Sequence, residues 1–182
     1  GRTLEKLNAT AADIGAAGGS IESIVADVTS QQDQLRVFEL VRARNELLSA
    51  VIYNAGSNLP IKFSELSPEQ FEDFWRIGCF GAFLTSRLAL PLLSEQGKGS
   101  LFFTGASASL RGRPNFAHFA VAKAGLRHQC EQVQHMPKNK RGPRSAAKKQ
   151  TDGALPQQNQ NFRRRSICVG SLSIVKRTGL TI

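Results

Sequence analysis

Hydrophobic and polar positions along the first two thirds of the chain alternate between the period of a helix and that of a strand. Residues 50–53 and 100–104 are short apolar runs typical of buried strands. Residues 20–25 carry isoleucine and valine at alternating and then consecutive positions, which predicts another strand. Apolar recurrence at three and four residues predicts helices over residues 4–19, from about Ser30 to Leu48, and over residues 68–92.

Polar residues mark the starts of two of these helices. Thr29, with a glutamine three residues later, fits a capping box and places a helix start near Ser30. Ser67 has the same spacing to Gln70 and is followed by Pro68, which suits the first helical position. The helix after Ser67 also contains small residues, which indicate that another backbone approaches it closely: Gly78, Gly81 and Ala82.

The alternation of strands and helices predicts an α/β fold with a parallel sheet. In such sheets a ligand binds at the carboxyl ends of the strands. Here those ends carry small or polar residues, namely Asp27 and Val28, Asn54 to Gly56, and Thr104 to Ser107. The sequence therefore predicts a binding crevice along this edge.

Charge divides the chain into two compositions. Residues 1–126 hold equal numbers of acidic and basic residues, so the net charge of +10 belongs to residues 127–182. We therefore predict a partial α/β domain over 1–126 and a basic, disordered tail over 127–182. Within the tail only residues 167–175 resemble a strand, and the sequence offers no evident partner for it.

Two explanations of the basic tail remain open. In the first, residues 137–165 are a functional basic tail whose lysine and arginine clusters neutralise the phosphates of a nucleic acid or another anionic surface. Phe162 is the one aromatic residue among these clusters, so base stacking is not expected and a nucleic-acid partner is the less favoured one. Alternatively the tail is the by-product of a changed reading frame or exon joined near residue 127, because the pattern breaks inside a helix.

Cysteine spacing and hydropathy argue against a metal-binding module and against a membrane-spanning protein. Three scattered cysteines lack the spacing of a metal module, so we expect no metal site. The same scattered, odd-numbered cysteines do not form a disulfide framework, so we expect a reducing, cytoplasmic location. No apolar run approaches the ~20 residues of a membrane span, and the first residues do not form a signal peptide.

Four short motifs, taken in their order along the chain, resemble those of a known protein family. They are Asp27-Val28-Thr29, then Asn54-Ala55-Gly56, then Phe74-Trp75 leading to Gly81-Ala82-Phe83, and finally Phe119 to Gly125. Their order and spacing resemble the short-chain dehydrogenase/reductase family over about residues 1–126. The resemblance implies a Rossmann-like, doubly wound sheet and an oxidoreductase acting on a small carbonyl, alcohol or enoyl compound.

The resemblance also implies a nicotinamide cofactor, NADP or NAD. The residues that would contact it are Arg2, Asp27, Val28, Asn54, Ala55, Gly56 and Lys123. In the family the Asp-Val pair lies against the adenine ring, and the Asn-Ala-Gly segment shapes the crevice. A basic residue at the place of Arg2 pairs with the 2′-phosphate and favours NADP, although an ordinary surface arginine is the alternative.

The family's catalytic set is largely substituted here. Its Lys is Lys123, whereas its Tyr, Ser and Asn positions hold Phe119, Ala106 and Gly78. Because Phe119 has no ionisable proton, we expect impaired catalysis. A shifted register could place Ser107 or Ser109 at the serine position, and we interpret the neighbouring His118 as a surface or packed histidine.

The family's first strand and glycine-rich phosphate turn do not occur in this sequence, so we expect it to be truncated relative to the family pattern. Because the first strand lies mid-sheet, the strands near Ile21 and Val51 would lack a shared neighbour, and we expect the chain alone to be unstable or aggregation-prone. The alternative function is a non-catalytic interaction protein, a homo-oligomer or a partner of an intact paralogue, joined through the family's dimerisation helices.

Overall fold

The computed structural model describes residues 1–135 and the backbone of a strand at Ser166–Val169. The helices are α1 (Leu4–Ala16), α2 (Gln31–Ala43), α3 (Pro68–Trp75), α4 (Gly81–Glu95) and α5 (Ala117–His135). The strands are β1 (Ala50–Tyr53), β2 (Ser100–Thr104) and β3 (Ser166–Val169). A π-helical turn, Arg76–Phe80, joins α3 to α4, and a 3₁₀ turn at Ser107–Ser109 follows β2.

The three strands form one parallel sheet in the order β1-β2-β3, which confirms the α/β class and the strands predicted at 50–53 and 100–104. The expectation that the strand near residue 167 has no partner is wrong. Ser166–Val169 pairs with β2, with Ile167 opposite Phe102. The hydrogen-bonding edge of β2 is a long-range partner that composition does not reveal. The disorder predicted from residue 127 is also wrong for residues 127–135, which continue α5. The other residues of the predicted tail lie outside the described residues.

The strand predicted at residues 20–25 is not formed. A strand needs a neighbouring ladder of hydrogen bonds, and in the described part of the chain this segment pairs with no strand. Its backbone bonds instead to the Arg36 side chain, whose Nη2 donates to the Val25 carbonyl at 2.7 Å, and to the first residue. There the Ala26 N–H donates to the Gly1 carbonyl at 2.8 Å, and the Gly1 amino group donates to the Ile24 carbonyl at 3.4 Å. A groove of about 330 Å³ separates the segment from β1.

The start of α2 differs by one residue from the predicted cap. Ser30, not Thr29, is the N-cap, because its hydroxyl accepts the Asp33 N–H at 3.2 Å. The Thr29 hydroxyl instead donates to the Asp27 carboxylate at 2.8 Å. Two adjacent hydroxyl residues satisfy the same sequence rule, and the backbone conformation decides between them.

The capping box predicted at Ser67 is confirmed, with Ser67 and Gln70 each bonding the other's backbone. The helical segment Pro68–Glu95 is long and apolar enough to cross a membrane by length and composition. Half of its most apolar window is buried inside the described structure, as in a core helix of a globular domain. In this fold it packs on both β1 and β2 and on α2 and α5.

The core lies between the sheet and the helices that cover it. Val51 and Tyr53 of β1 and Leu101 and Phe103 of β2 point to one side, where they pack against the buried residues of α4. Leu126 of α5 completes this cluster. α5 continues from Leu126 to His135, nine residues beyond the predicted domain boundary, which itself stays a prediction.

Candidate functional site

Lys123 brings the ends of β1 and β2 together. Its side chain is buried, and its Nζ donates to the Thr104 carbonyl at the end of β2 at 2.6 Å. Gly56, in the loop after β1, lies so close that a Cβ there would be 3.4 Å from Nζ. The predicted segments Asn54–Gly56 and Thr104–Ser107 therefore meet around one ammonium group, at the edge of the sheet where a ligand is expected.

Phe119 lies one helical turn before Lys123 on α5, and its ring centroid is 5.8 Å from Nζ. The ring offers no hydrogen-bond donor to a ligand at this position. His118 does not replace it: its side chain is fully buried, and its ring centroid is 4.1 Å from that of Phe74. Its Nε2 lies 2.9 Å from the Leu59 carbonyl, which fits a packed histidine.

The segment after β2 places Ala106 immediately before the 3₁₀ turn. Ser109, which a shifted register could bring to the serine position, directs its hydroxyl to the Ala106 carbonyl at 2.7 Å. That hydroxyl is used within the turn, which disfavours Ser109 at the serine position, whereas a register that uses Ser107 stays a prediction. Ala106 itself supplies no side-chain donor.

Gly78 lies in the π-helical turn and faces α5. A Cβ at position 78 would be 2.8 Å from the Ala122 Cβ, so the absence of a side chain permits the helices to touch. The next contact along the same helices involves Gly125, where a Cβ would be 2.7 Å from the Cys79 Sγ. The close approach predicted for the small residues is therefore confirmed at Gly78.

Asp27 and Arg2 form a second group of predicted cofactor residues. The Asp27 carboxylate accepts the Thr29 N–H at 2.8 Å, and this hydrogen bond lowers the pKa of Asp27, with a smaller contribution from the Arg2 charge. The Arg2 guanidinium is 3.7 Å from the carboxylate and 70% exposed. Asp27 is therefore ionised near neutral pH, and Arg2 remains accessible to a second anion.

The sequence pattern did not identify two polar residues beside these groups, Tyr53 and Gln34, as part of the candidate site. The Tyr53 hydroxyl donates to the Ile77 carbonyl of the π-helical turn, and burial raises the pKa of Tyr53, so the hydroxyl keeps its proton. Gln34 is buried and bonds the Val28 carbonyl. The helical spacing could have identified Gln34 as buried, since it lies three and four residues before Val37 and Phe38, on the buried face of α2.

No group of three metal-ligating side chains occurs among the residues that the structure describes. The two cysteines in that part, Cys79 and Cys130, are buried and form no disulfide there. Burial raises the pKa of Cys79, which therefore stays protonated near neutral pH. The chemistry available at the sheet edge is thus that of a buried ammonium, a loop carboxylate and backbone groups.

Comparison with known proteins gives consistent results. The family model for short chain dehydrogenases matches residues 1–141. The oxidoreductase asL5 of Sarocladium schorii is 31% identical over 128 residues, which are 70% of this chain and 50% of that protein. A very-long-chain 3-oxoacyl-CoA reductase of Pyricularia oryzae is 25% identical over 134 residues, 70% of this chain and 40% of the relative.

Solved structures agree with the family match. A short-chain dehydrogenase from Rhodopseudomonas palustris superposes with a TM-score of 0.67 and 34% identity, covering 74% of this chain and 63% of the other. A metagenomic short-chain oxidoreductase in complex with NADP, 21% identical, shares the fold with a TM-score of 0.68, over 74% of this chain and 61% of its own. The chain spans about half the length of the curated relatives it matches. It belongs to the short-chain dehydrogenase/reductase family, whose members are oxidoreductases with a Rossmann-like fold.

Proposed function

We propose that this chain is an NAD(P)-dependent oxidoreductase of its family that binds NADP(H) and whose hydride-transfer activity is impaired. One observation carries the proposal: Lys123 keeps a buried position at the sheet edge, while the residue one turn away is Phe119. The lysine can hold a nucleotide ribose, but the phenylalanine cannot exchange a proton with a carbonyl or alcohol oxygen.

The donor set fits both ends of a nicotinamide dinucleotide. Lys123 and Asn54 would hold the nicotinamide ribose, and Asp27 with Val28 would line the adenine. The exposed Arg2 guanidinium suits a 2′-phosphate, which favours NADP over NAD. When bound, the cofactor supplies the hydride. The sequence contains no glycine-rich phosphate turn, so we propose weak binding.

Binding of NADPH to the 182-residue chain tests the proposal. We expect a saturable increase of NADPH fluorescence and a rise of the melting temperature with NADPH concentration. Lys123→Met should weaken NADPH binding by about tenfold or more, because one charge-assisted hydrogen bond is worth roughly 1.5–3 kcal/mol. Methionine fills the space of the lysine stem.

Lys98→Met is the matched control, because Lys98 is exposed on the turn that precedes β2. It should bind NADPH like the unchanged chain. The proposal fails if the unchanged chain shows no saturable NADPH signal, or if Lys98→Met weakens binding as much as Lys123→Met.

A row of aromatic side chains, two of them exposed and Phe80 half-buried, favours the second candidate, a non-catalytic interaction protein. Trp75, Phe80 and Phe83 follow one another along the helical segment, with ring centroids 5.8 and 6.2 Å apart. Phe83 is 41% exposed, and Val121 on α5 is 46% exposed. Exposed aromatic side chains in a row are characteristic of protein interaction surfaces. The partner would be a second copy or an intact relative.

Phe83→Glu tests this surface. A charge there should convert a self-associated chain into monomer, because burying an unpaired carboxylate disfavours association. Sedimentation velocity gives the mass. Phe63→Glu is the control, since Phe63 is 78% exposed and lies outside the aromatic row. If Phe83→Glu and the unchanged chain sediment alike, alone and with an intact relative, the surface is not an interface.

A further inference from the structure

The loop that carries Asp27 and Val28 is held by consecutive side chains of α2. The Asp33 carboxylate accepts the Asp27 N–H at 2.9 Å, which lowers the pKa of Asp33. The Gln34 side-chain amide donates from Nε2 to the Val28 carbonyl at 2.7 Å. Both of these contacts are partly buried. The Gln34 side chain is only 2% exposed, and its hydrogen bonds to Gly81 and Thr85 are shielded from water.

Gln34 also joins this loop to α4. The same Nε2 donates to the Gly81 carbonyl at 3.0 Å. The loop and the helix lie backbone against backbone here, since a Cβ on Gly81 would be 2.8 Å from the Val28 carbonyl oxygen. Two carbonyl oxygens lie at one narrow contact, and a primary amide has two N–H groups to give to them. The Gly81 carbonyl also accepts the Thr85 hydroxyl at 3.0 Å.

Thr85 fixes the orientation of the Gln34 amide. The buried Thr85 hydroxyl donates to the Gln34 Oε1 at 2.8 Å. The Oε1 therefore faces Thr85, and the NH₂ group must face the two carbonyls. A buried network that is satisfied in this way has one arrangement. An apolar side chain at position 34 would remove the amide donor from the Val28 carbonyl, whereas the Thr85 hydroxyl would still bond the Gly81 carbonyl.

We propose that Gln34 is a positioning residue for the adenine side of the cofactor site. It sets the position of the Val28 carbonyl against Gly81 and thereby places the Asp27–Val28 loop. This inference rests on the proposed function for the identity of the ligand, but the position of the loop is a property of the chain alone.

The test compares Gln34→Met with Ser86→Ala in the full chain. Ser86→Ala also removes a buried hydrogen bond, from Ser86 Oγ to the Ala82 carbonyl at 2.7 Å, on the same helix but away from the loop. Gln34→Met should weaken binding of both NADPH and adenosine 2′,5′-bisphosphate by a similar factor of about ten. Ser86→Ala should change neither affinity by more than about twofold.

A ligand-free measurement separates this inference from the proposed function. Amide resonances of Asp27, Val28 and Thr29 should shift in Gln34→Met and not in Ser86→Ala. If the unchanged chain binds no NADPH, the proposed function fails, and the amide shifts alone decide on Gln34. Loop resonances that do not move, or a loss of affinity for NADPH without a loss for adenosine 2′,5′-bisphosphate, overturn the inference.

Thr85→Val keeps the test decisive if Gln34→Met does not fold. Valine has the shape of threonine without the hydroxyl, so Gln34 keeps both of its N–H donors, while the Gln34 Oε1 and the Gly81 carbonyl both lose the hydroxyl. We expect smaller shifts of the same three amides and a two- to fivefold weakening of NADPH binding, of the order expected for one neutral hydrogen bond. Unchanged loop resonances in Thr85→Val would contradict the inference.

Discussion

Phe119→Tyr is expected to raise NADPH-dependent reduction of small aldehydes and ketones by about 100-fold, the lower end of what general acid–base catalysis contributes. The tyrosine hydroxyl would project from the same face of α5 as Lys123, whose Nζ is 5.8 Å from the present ring centroid. A positive charge at that distance favours the phenolate and so assists proton exchange. The expected gain stays at the lower end because Ala106 adds no second donor.

The matched control is Phe116→Tyr. Phe116 contacts Phe119 edge to face, with ring centroids 6.5 Å apart, but the new hydroxyl would not be placed beside Lys123 by the helix. The rate of NADPH oxidation should stay at the level of the unchanged chain. Equal rates in the two tyrosine variants, with NADPH binding intact in both, would show that the missing hydroxyl at position 119 is not the cause of the impairment.

Elements with local signals were predictable from the sequence. The capping box at Ser67 is specified by residues within one helical turn, and β1 and β2 are apolar runs too short for helices. The segment 20–25 has an equally strong strand pattern, but a strand also requires a neighbour, and pattern says nothing about whether one is present. The same reason explains the error at β3, whose partner lies more than 60 residues away in the sequence.

The parts of the candidate site that lie on one helix or at the ends of neighbouring strands could be predicted from the sequence. Lys123 and Phe119 are four residues apart on one helix, so they had to share a face. Arg2 and Asp27 are 25 residues apart, and only the fold shows that they form an ion pair. The π-helical turn could not be read from the sequence either, because its carbonyls are satisfied from other elements, among them by the Tyr53 hydroxyl and the Gln129 amide.

Gly78→Asn restores the residue that the family has at this position, yet it is expected to destabilise the chain by about 1–3 kcal/mol, the usual cost of overpacking. A Cβ at position 78 would be 2.8 Å from the Ala122 Cβ, and both atoms are fixed by the backbones of packed helices. Urea unfolding measures the loss. Gly15→Asn is the control, since a Cβ at that helical position meets nothing within 4 Å, and its stability should change by less than about 0.5 kcal/mol.

Ala122→Gly supplies the decisive comparison, because it removes the atom that the new side chain would strike. Alone it should cost about 1 kcal/mol through the low helix propensity of glycine. Combined with Gly78→Asn it should cost less than the two single changes added together, since the contact is relieved only in the double variant. Additive losses would contradict this packing argument. If the double variant shows this coupling, an asparagine at position 78 is accommodated only when α5 repacks. We therefore expect the double variant Phe119→Tyr/Gly78→Asn to be no more active than Phe119→Tyr alone.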